Sequence, residues 1–155
     1  MPEEIPQFKN KSTENKEGLK LRILIADDSK YIRGPLRKML EGAGHTVVEV
    51  TNGRLLLEEL NKQQDFDLII TDNSMPEKGV EQPLSGMHAL TEIRSGGKFP
   101  RYKNTPVILM STDNFGGALE RKVTGLGAKF ILKDNLNEQL FTKIDELFPK
   151  SGTSK

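Results

Sequence analysis

Five short apolar runs, each separated from the next by a segment of helical periodicity, constrain this chain more than any other feature of its sequence. Leu21–Ala26 reads Leu-Arg-Ile-Leu-Ile-Ala, with only Arg22 interrupting, as a strand buried on both faces should. Thr46–Val50, Phe66–Ile70, Pro106–Met110 and Phe130–Leu132 repeat the pattern. Between them the apolar residues move to helical spacing. Ile32, Leu36, Leu40 and Ala43 mark a first helix, and Leu56, Leu57 and Leu60 a second that opens near Asn52–Gly53. A third lies near Met87–Arg94 and a fourth at about Ala118–Gly125; the last has Leu136, Leu140, Ile144 and Leu147 on one face. Gly42 and Gly44 supply a stop for the first helix, while Pro35 inside it should kink or delay it. Asn135 reads as the cap of the last helix, with Glu138 as the capping-box carboxylate. Strict alternation of strand and helix predicts an α/β fold, a doubly wound five-stranded parallel sheet with helices on both faces.

Length and composition narrow the function classes. The 155 residues are about one domain long. Residues 1–18 and 150–155 are polar, mixed in charge and poor in apolar side chains. They read as disordered tails around a domain at 19–149. No cysteine is present, so there is neither a disulfide framework nor a thiolate metal site. The N-terminus lacks the apolar centre of a signal peptide, and no apolar stretch is long enough to cross a bilayer. The expectation is a cytoplasmic protein without membrane insertion. A net charge of +1 with 29% charged residues gives no basic face for nucleic acid. Lys98, Arg101 and Lys103 form only a short solvated run. His45 and His88 read as surface residues without a role.

In sheets of this class the ligand site lies beyond the carboxyl ends of the strands. Asp27 and Asp28 follow the first strand, Asp72 the third, Ser111 the fourth and Lys133 the fifth. Carboxylates converging on one rim raise each other's pKa values. A hard cation relieves that repulsion, and Mg2+ favours one or two carboxylates, water and a phosphate oxygen. A hydroxyl and a mobile ammonium complete what in-line phosphoryl transfer to a carboxylate requires. Taken singly, each residue has a plainer role: an Asp pair caps a helix, an Asp before Met-Pro makes a turn, and a Lys after a strand is solvated. Their joint occurrence at successive strand ends carries the functional reading.

The segments Ile25-Ala26-Asp27-Asp28, Asp72-Asn73-Ser74-Met75-Pro76, Pro106-Val107-Ile108-Leu109-Met110-Ser111 and Gly127-Ala128-Lys129-Phe130-Ile131-Leu132-Lys133 resemble, in order, the four signatures of response-regulator receiver domains of the CheY-like kind. The match covers about residues 20–148. The resemblance implies a flavodoxin-like (βα)5 sheet with strand order 2-1-3-4-5 and a phosphoacceptor at Asp72. It implies Mg2+ bound directly by Asp28 and Asp72, through water by Asp27, and by the backbone carbonyl of Ser74. Ser111 and Lys133 would hold the phosphoryl oxygens. Phe130 would be the switch aromatic that turns inward as Ser111 moves. Ser74, Thr112 and Asp113 fall where the family tunes phosphoryl lifetime. The donor would be a histidine kinase or a histidine phosphotransfer protein. Output would pass to a partner protein through the face of the fourth helix, fifth strand and fifth helix, since no further domain precedes Lys155. The only catalysis implied is transfer to its own Asp and autodephosphorylation.

Several positions depart from the family's pattern. Asp134 follows Lys133 where proline is usual, so a trans peptide is expected there. Thr112 replaces a small residue, which implies slow turnover of the phosphoryl group. Glu77–Ser85 and Ser95–Asn104 are long loops; the first leaves the acceptor's own strand end and is expected to govern partner choice. Two rival readings stand beside the main one. The first is a receiver-like binding module that is never phosphorylated. The second is a haloacid-dehalogenase-like phosphatase, whose two acids lie one residue apart after the first strand, whereas here they are adjacent.

Overall fold

Alternate residues of the central strands enter two separate cores, and this is what makes the sheet three-layered. The computed structural model describes residues 18–62 and 64–149; the expected tails fall outside these residues, Gly18 excepted. The strands are β1 (Arg22–Ala26), β2 (Thr46–Val50), β3 (Leu68–Asp72), β4 (Val107–Ser111) and β5 (Lys129–Leu132). The helices are α1 (Lys30–Gly42), α2 (Gly53–Leu60), α3 (Gly86–Ser95), α4 (Ala118–Gly125) and α5 (Leu136–Leu147). Ile23, Ile25, Leu68, Ile70, Ile108 and Met110 join Leu36 and Leu40 of α1 and Leu140 and Ile144 of α5. Leu24, Ala26, Ile69, Val107 and Leu109 join Leu56 of α2, Leu90 of α3 and Val123 of α4 on the other face. Side chains point alternately to the two faces, so these near-continuous apolar runs are stable only between two helical layers. All strands are parallel, in the order β2-β1-β3-β4-β5. The fold class and strand order expected from the sequence are therefore observed. Among the described residues no helix is long and apolar enough to cross a membrane.

Local chemistry explains most element ends. Ser29, Asn52 and Ser85 cap α1, α2 and α3 by accepting from the N–H groups of Tyr31, Leu55 and His88, which satisfies donors that a helix N-terminus leaves open. Pro35 does not delay α1, which starts five residues before it and runs on to Gly42. Gly34 explains this in part: a residue before proline is driven from α geometry by its own Cβ, and glycine has none. Asn135 does not cap α5. Residues Lys133–Asn135 wind into a 3-10 turn, and the Asn135 side chain makes no capping bond; capping needs extended backbone, which φ −106° and ψ 13° are not. The third strand begins two residues later than expected, at Leu68, and ends on Asp72.

Two segments expected at the surface are partly buried. Within residues 95–104, Pro100–Tyr102 form a 3-10 turn, and Phe99 and Tyr102 enter the core. Tyr102 also bonds the Gln64 carbonyl with its hydroxyl. His88 is exposed beside Glu92, but His45 is buried at 7% exposure. Its Nδ1 accepts from the N–H of Leu21 at 3.0 Å, at the N-terminal edge of the sheet where no neighbouring strand supplies that acceptor.

Burial holds the His45 pKa below its ordinary value of 6.5. The unfolded chain therefore takes up a proton first as pH falls. This stabilisation is complete above about pH 6.5 and is lost as pH drops toward the depressed folded value. Urea unfolding between pH 7.5 and 5.5 should show His45→Asn, which keeps an acceptor that does not titrate, losing less stability than wild type. The difference should approach at most about 1.4 kcal/mol per pH unit. Parallel pH profiles for the two proteins would show that His45 does not titrate with unfolding.

Candidate functional site

Because the strands are parallel, all their carboxyl ends meet at one edge, and the acidic residues collect there. Asp27 and Asp28 follow β1, and Asp72 ends β3, with one carboxylate oxygen of each within 4.8 Å of the others. Asp27 is fully buried, Asp72 nearly so at 4% exposure, and Asp28 is exposed at the rim. Lys133, at the end of β5, places its ammonium 2.8 Å from Asp27 Oδ2 and 3.1 Å from Asp72 Oδ2. Ser111 ends β4 and is buried. The strand ends thus bring together Asp27, Asp28, Asp72, Ser111 and Lys133.

The electrostatics follow from this crowding. Burial, then the Asp27 carboxylate, push the Asp72 pKa up to about 6 against the pull of Lys133. Burial works against the charged form of Lys133, but Asp27 and Asp72 outweigh it and hold its pKa above the usual value. The Lys133 ammonium, 2.8 Å away, is the charged partner of the wholly buried Asp27 Oδ2. A buried carboxylate oxygen needs such a charged partner. It lies in an all-oxygen donor set, which is what Mg2+ selects. The residues present therefore fit such a cation.

The backbone around the acids is fastened at many points. Asp27 N–H donates to the Val50 carbonyl, and Ser29 N–H to Asp27 Oδ1 at 2.8 Å. After Asp72, the Asn73 N–H donates to the Met110 carbonyl, and Asn73 Oδ1 and its carbonyl accept from the N–H groups of Met87 and Gly86. Ser74 is exposed beyond the strand end, Met75 is buried, and Thr112 and Asp113 are exposed. The Ser111 hydroxyl is engaged within its own loop, donating to the Asp113 carbonyl at 2.6 Å and accepting from the Asp113 N–H. Phe130 is packed inward at 6% exposure with the α4 side of the core. The Lys133–Asp134 peptide is trans.

Sequence reasoning missed Arg33, Glu49 and Gly86. Arg33 Nη1 donates to the Asp27 carbonyl at 2.8 Å, and its Nε to Glu49 Oε1 at 2.9 Å. Nothing local flagged a helix Arg and a strand Glu sixteen residues apart. Gly86 is legible only in three dimensions, since a Cβ there would overlap the Asp72 carbonyl oxygen and lie 3.1 Å from Asn73 Cα. The Glu77–Ser85 loop is exposed along most of its length and tied at its base by Arg54, which pairs with Glu77 at 2.9 Å.

A three-layered parallel sheet with carboxylates, a hydroxyl and an ammonium on its carboxyl edge is a doubly wound α/β fold with a charged site at the edge where such sheets bind ligands. Residues 23–145 match the response regulator receiver domain, and the chain belongs to that family, the receiver domains of two-component response regulators. It is 35% identical over 132 residues to a 3',5'-cyclic-nucleotide phosphodiesterase, regA, of Dictyostelium discoideum, covering 81% of this chain and 15% of the relative. It is 28% identical to a chemotaxis protein CheY homologue of Campylobacter jejuni, covering 82% and 92%. The chain thus spans a small part of regA, and only 17% of the sensor kinase/phosphatase CqsS of Vibrio cholerae. Among solved structures, the signal receiver domain of a histidine kinase from Syntrophus aciditrophicus is similar at 27% identity and TM-score 0.68, over 87% of this chain and 93% of that one. The chemotaxis response regulator CheY4 of Vibrio cholerae shares the fold, with TM-score 0.69 at 24% identity over 84% and 100%.

The tight approach of α3 to the acceptor strand is open to direct test. Gly86→Ala should cost about 1–3 kcal/mol in urea unfolding, as overpacking does. Gly125→Ala, where an added Cβ meets nothing within 4 Å, should be neutral or gain up to about 1 kcal/mol. Equal stabilities for the two variants would show that the α3–β3 approach is loose.

Proposed function

We propose that the chain accepts a phosphoryl group on Asp72 from the phosphohistidine of a histidine kinase or phosphotransfer protein, and signals its phosphorylation state to a partner protein. The observation that carries this is the pairing of one ammonium, Lys133, with two buried carboxylates from different strand ends, Asp27 and Asp72. Such an arrangement concentrates charge in one buried centre. Mg2+ would be held by Asp27, Asp28, Asp72 and the backbone carbonyl of Ser74, and would neutralise carboxylate and phosphoryl charge. The Asp72 carboxylate forms the new O–P bond as the P–N bond of phosphohistidine breaks, and the electron pair stays on the imidazole nitrogen. Lys133 then pairs with phosphoryl oxygens, and Ser111 exchanges the Asp113 carbonyl for one of them. That exchange frees the loop after β4 and lets Phe130 report the change to the α4–β5–α5 face. Ser74, Thr112 and Asp113 flank the reacting centre and set how readily water reaches the acyl phosphate. Family membership supports a signalling module, and we place its domain at 19–149, around the matched residues 23–145. The lack of a membrane-crossing helix among the described residues is compatible with a cytoplasmic location.

Incubation with acetyl phosphate and Mg2+ should add one base-labile phosphoryl group by intact mass, and Asp72→Asn should take up none. Normal uptake by that variant overturns the assignment, and beryllofluoride binding that needs Mg2+ separates a phosphorylated receiver from a constitutive docking module. Shortening Glu77–Ser85 while keeping Met75, Pro76 and Gly86 should leave acetyl phosphate uptake unchanged and slow transfer from a histidine donor. Equal rates from both donors would make the loop a spacer.

A further inference from the structure

The acidic turn is held from beneath by a cation that touches none of its carboxylates. Arg33, on the first turns of α1, uses two different edges of its guanidinium: Nη1 donates to the Asp27 backbone carbonyl at 2.8 Å, and Nε donates to Glu49 Oε1 at 2.9 Å. Both side chains are mostly buried, at 17% and 23% exposure. Glu49 lies on β2, paired in register with Ile25 of β1, and its second oxygen accepts from Arg37 at 2.6 Å. The hydrogen bond from Arg37, opposed by burial and helped by Arg33, keeps the Glu49 pKa below the usual carboxylate range. A guanidinium this close to a cation site would repel the cation if its charge were bare. Glu49 both aims it and neutralises it.

We propose that Arg33, aimed and neutralised by Glu49, is a positioning residue of the Mg2+ site, fixing the Asp27–Asp28 turn through the Asp27 carbonyl. The proposal rests on the reading of the acidic pocket as the Mg2+ and phosphoryl site. Its geometry depends on planarity, because one donor edge faces the carbonyl while another faces the carboxylate. A lysine, with one nitrogen on a flexible stem, cannot hold both at fixed angles. Arg37 is the internal control, since it bonds Glu49 and Glu41 but does not reach Asp27.

Calorimetric titration of the full chain with MgCl2, alongside thermal melting, tests this. Arg33→Lys should bind Mg2+ about tenfold or more weakly, the scale on which outer-shell partners act on metal sites. Arg37→Lys should stay within about twofold of wild type, as loss at a surface ion pair does. Both variants should melt close together, so that affinity and not stability distinguishes them. Arg33→Lys with wild-type affinity, or an equal loss in Arg37→Lys, overturns the proposal. Should Arg33→Lys fail to fold, Glu49→Gln carries the test, since it keeps an oxygen for Arg33 and removes the charge. A weakened affinity that recovers in high salt supports the proposal, and an unchanged affinity overturns it. Wild-type protein that binds no Mg2+ overturns the pocket reading and this proposal together. Wild-type binding and phosphoryl uptake beside an unaltered Arg33→Lys overturns this proposal alone.

Discussion

One ammonium holds the carboxyl edge of this sheet together. A parallel sheet covered on both faces must release every strand at the same edge, and here three of the five releases carry Asp27, Asp72 and Lys133. The strand order sets β5 two places from β3 and three from β1. Neighbouring strands lie about 4.8 Å apart, so a cation on β5 must reach across the end of β4 to meet either acid. A long unbranched stem does this, and the end of β4 carries only Ser111, which is small and turned onto its own loop. Without that reach, Asp27 and Asp72 would face each other across a buried gap with like charge, the arrangement that already pushes Asp72 up to about 6.

What is fixed and what is exchangeable are clearly separated at this edge. The Asp27 turn and the chain after Asp72 are fastened by backbone hydrogen bonds to β2, β4 and α3. They cannot move without breaking the sheet's own pattern. Lys133 and Ser111 are held by side-chain contacts alone. The partner of Ser111 is Asp113, an exposed residue whose carboxylate also accepts from the N–H of Phe115. Phe115 is exposed at a φ of 51°, followed by two glycines that are also left-handed. Releasing Asp113 breaks two part-buried hydrogen bonds to the Ser111 hydroxyl, both within one short loop. In the proposed transfer the movable groups are the ones that meet the phosphoryl oxygens, while the groups that set the metal and nucleophile stay still.

The fold was legible because its signal is the alternation of apolar runs and helical spacing, which survives without knowledge of contacts. The site was legible because its residues sit at strand ends, positions that the alternation itself locates. What escaped depends on long-range partners. His45 looked like a surface residue because no local pattern shows that its Nδ1 meets the N–H of Leu21, twenty-four residues earlier. Phe99 and Tyr102 lay in a segment read as a basic loop, since the charges of Lys98, Arg101 and Lys103 masked two aromatic anchors between them. Asn135 had the right identity for a cap and the wrong backbone, because the 3-10 turn carrying Lys133 takes up the residues where an extended cap would lie. In each case a tertiary demand overrode a sound local preference.

The same reasoning explains why two cations approach the acidic cluster in different ways. Arg33 has a counter-ion in Glu49, which it shares with Arg37, so its charge is offset outside the acidic cluster, and it grips only the Asp27 carbonyl. Lys133 has no counter-ion but the site's own carboxylates, Asp27 and Asp72. Its full charge is therefore available to whatever anion forms between them. A guanidinium in that position would bind the two acids as a rigid fork and resist giving either up, whereas an ammonium on a flexible stem exchanges partners readily. A planar cation with its own counter-ion suits the fixed wall of such a site, and a mobile one paired only with the site's carboxylates suits the group that follows the phosphoryl in the proposed transfer.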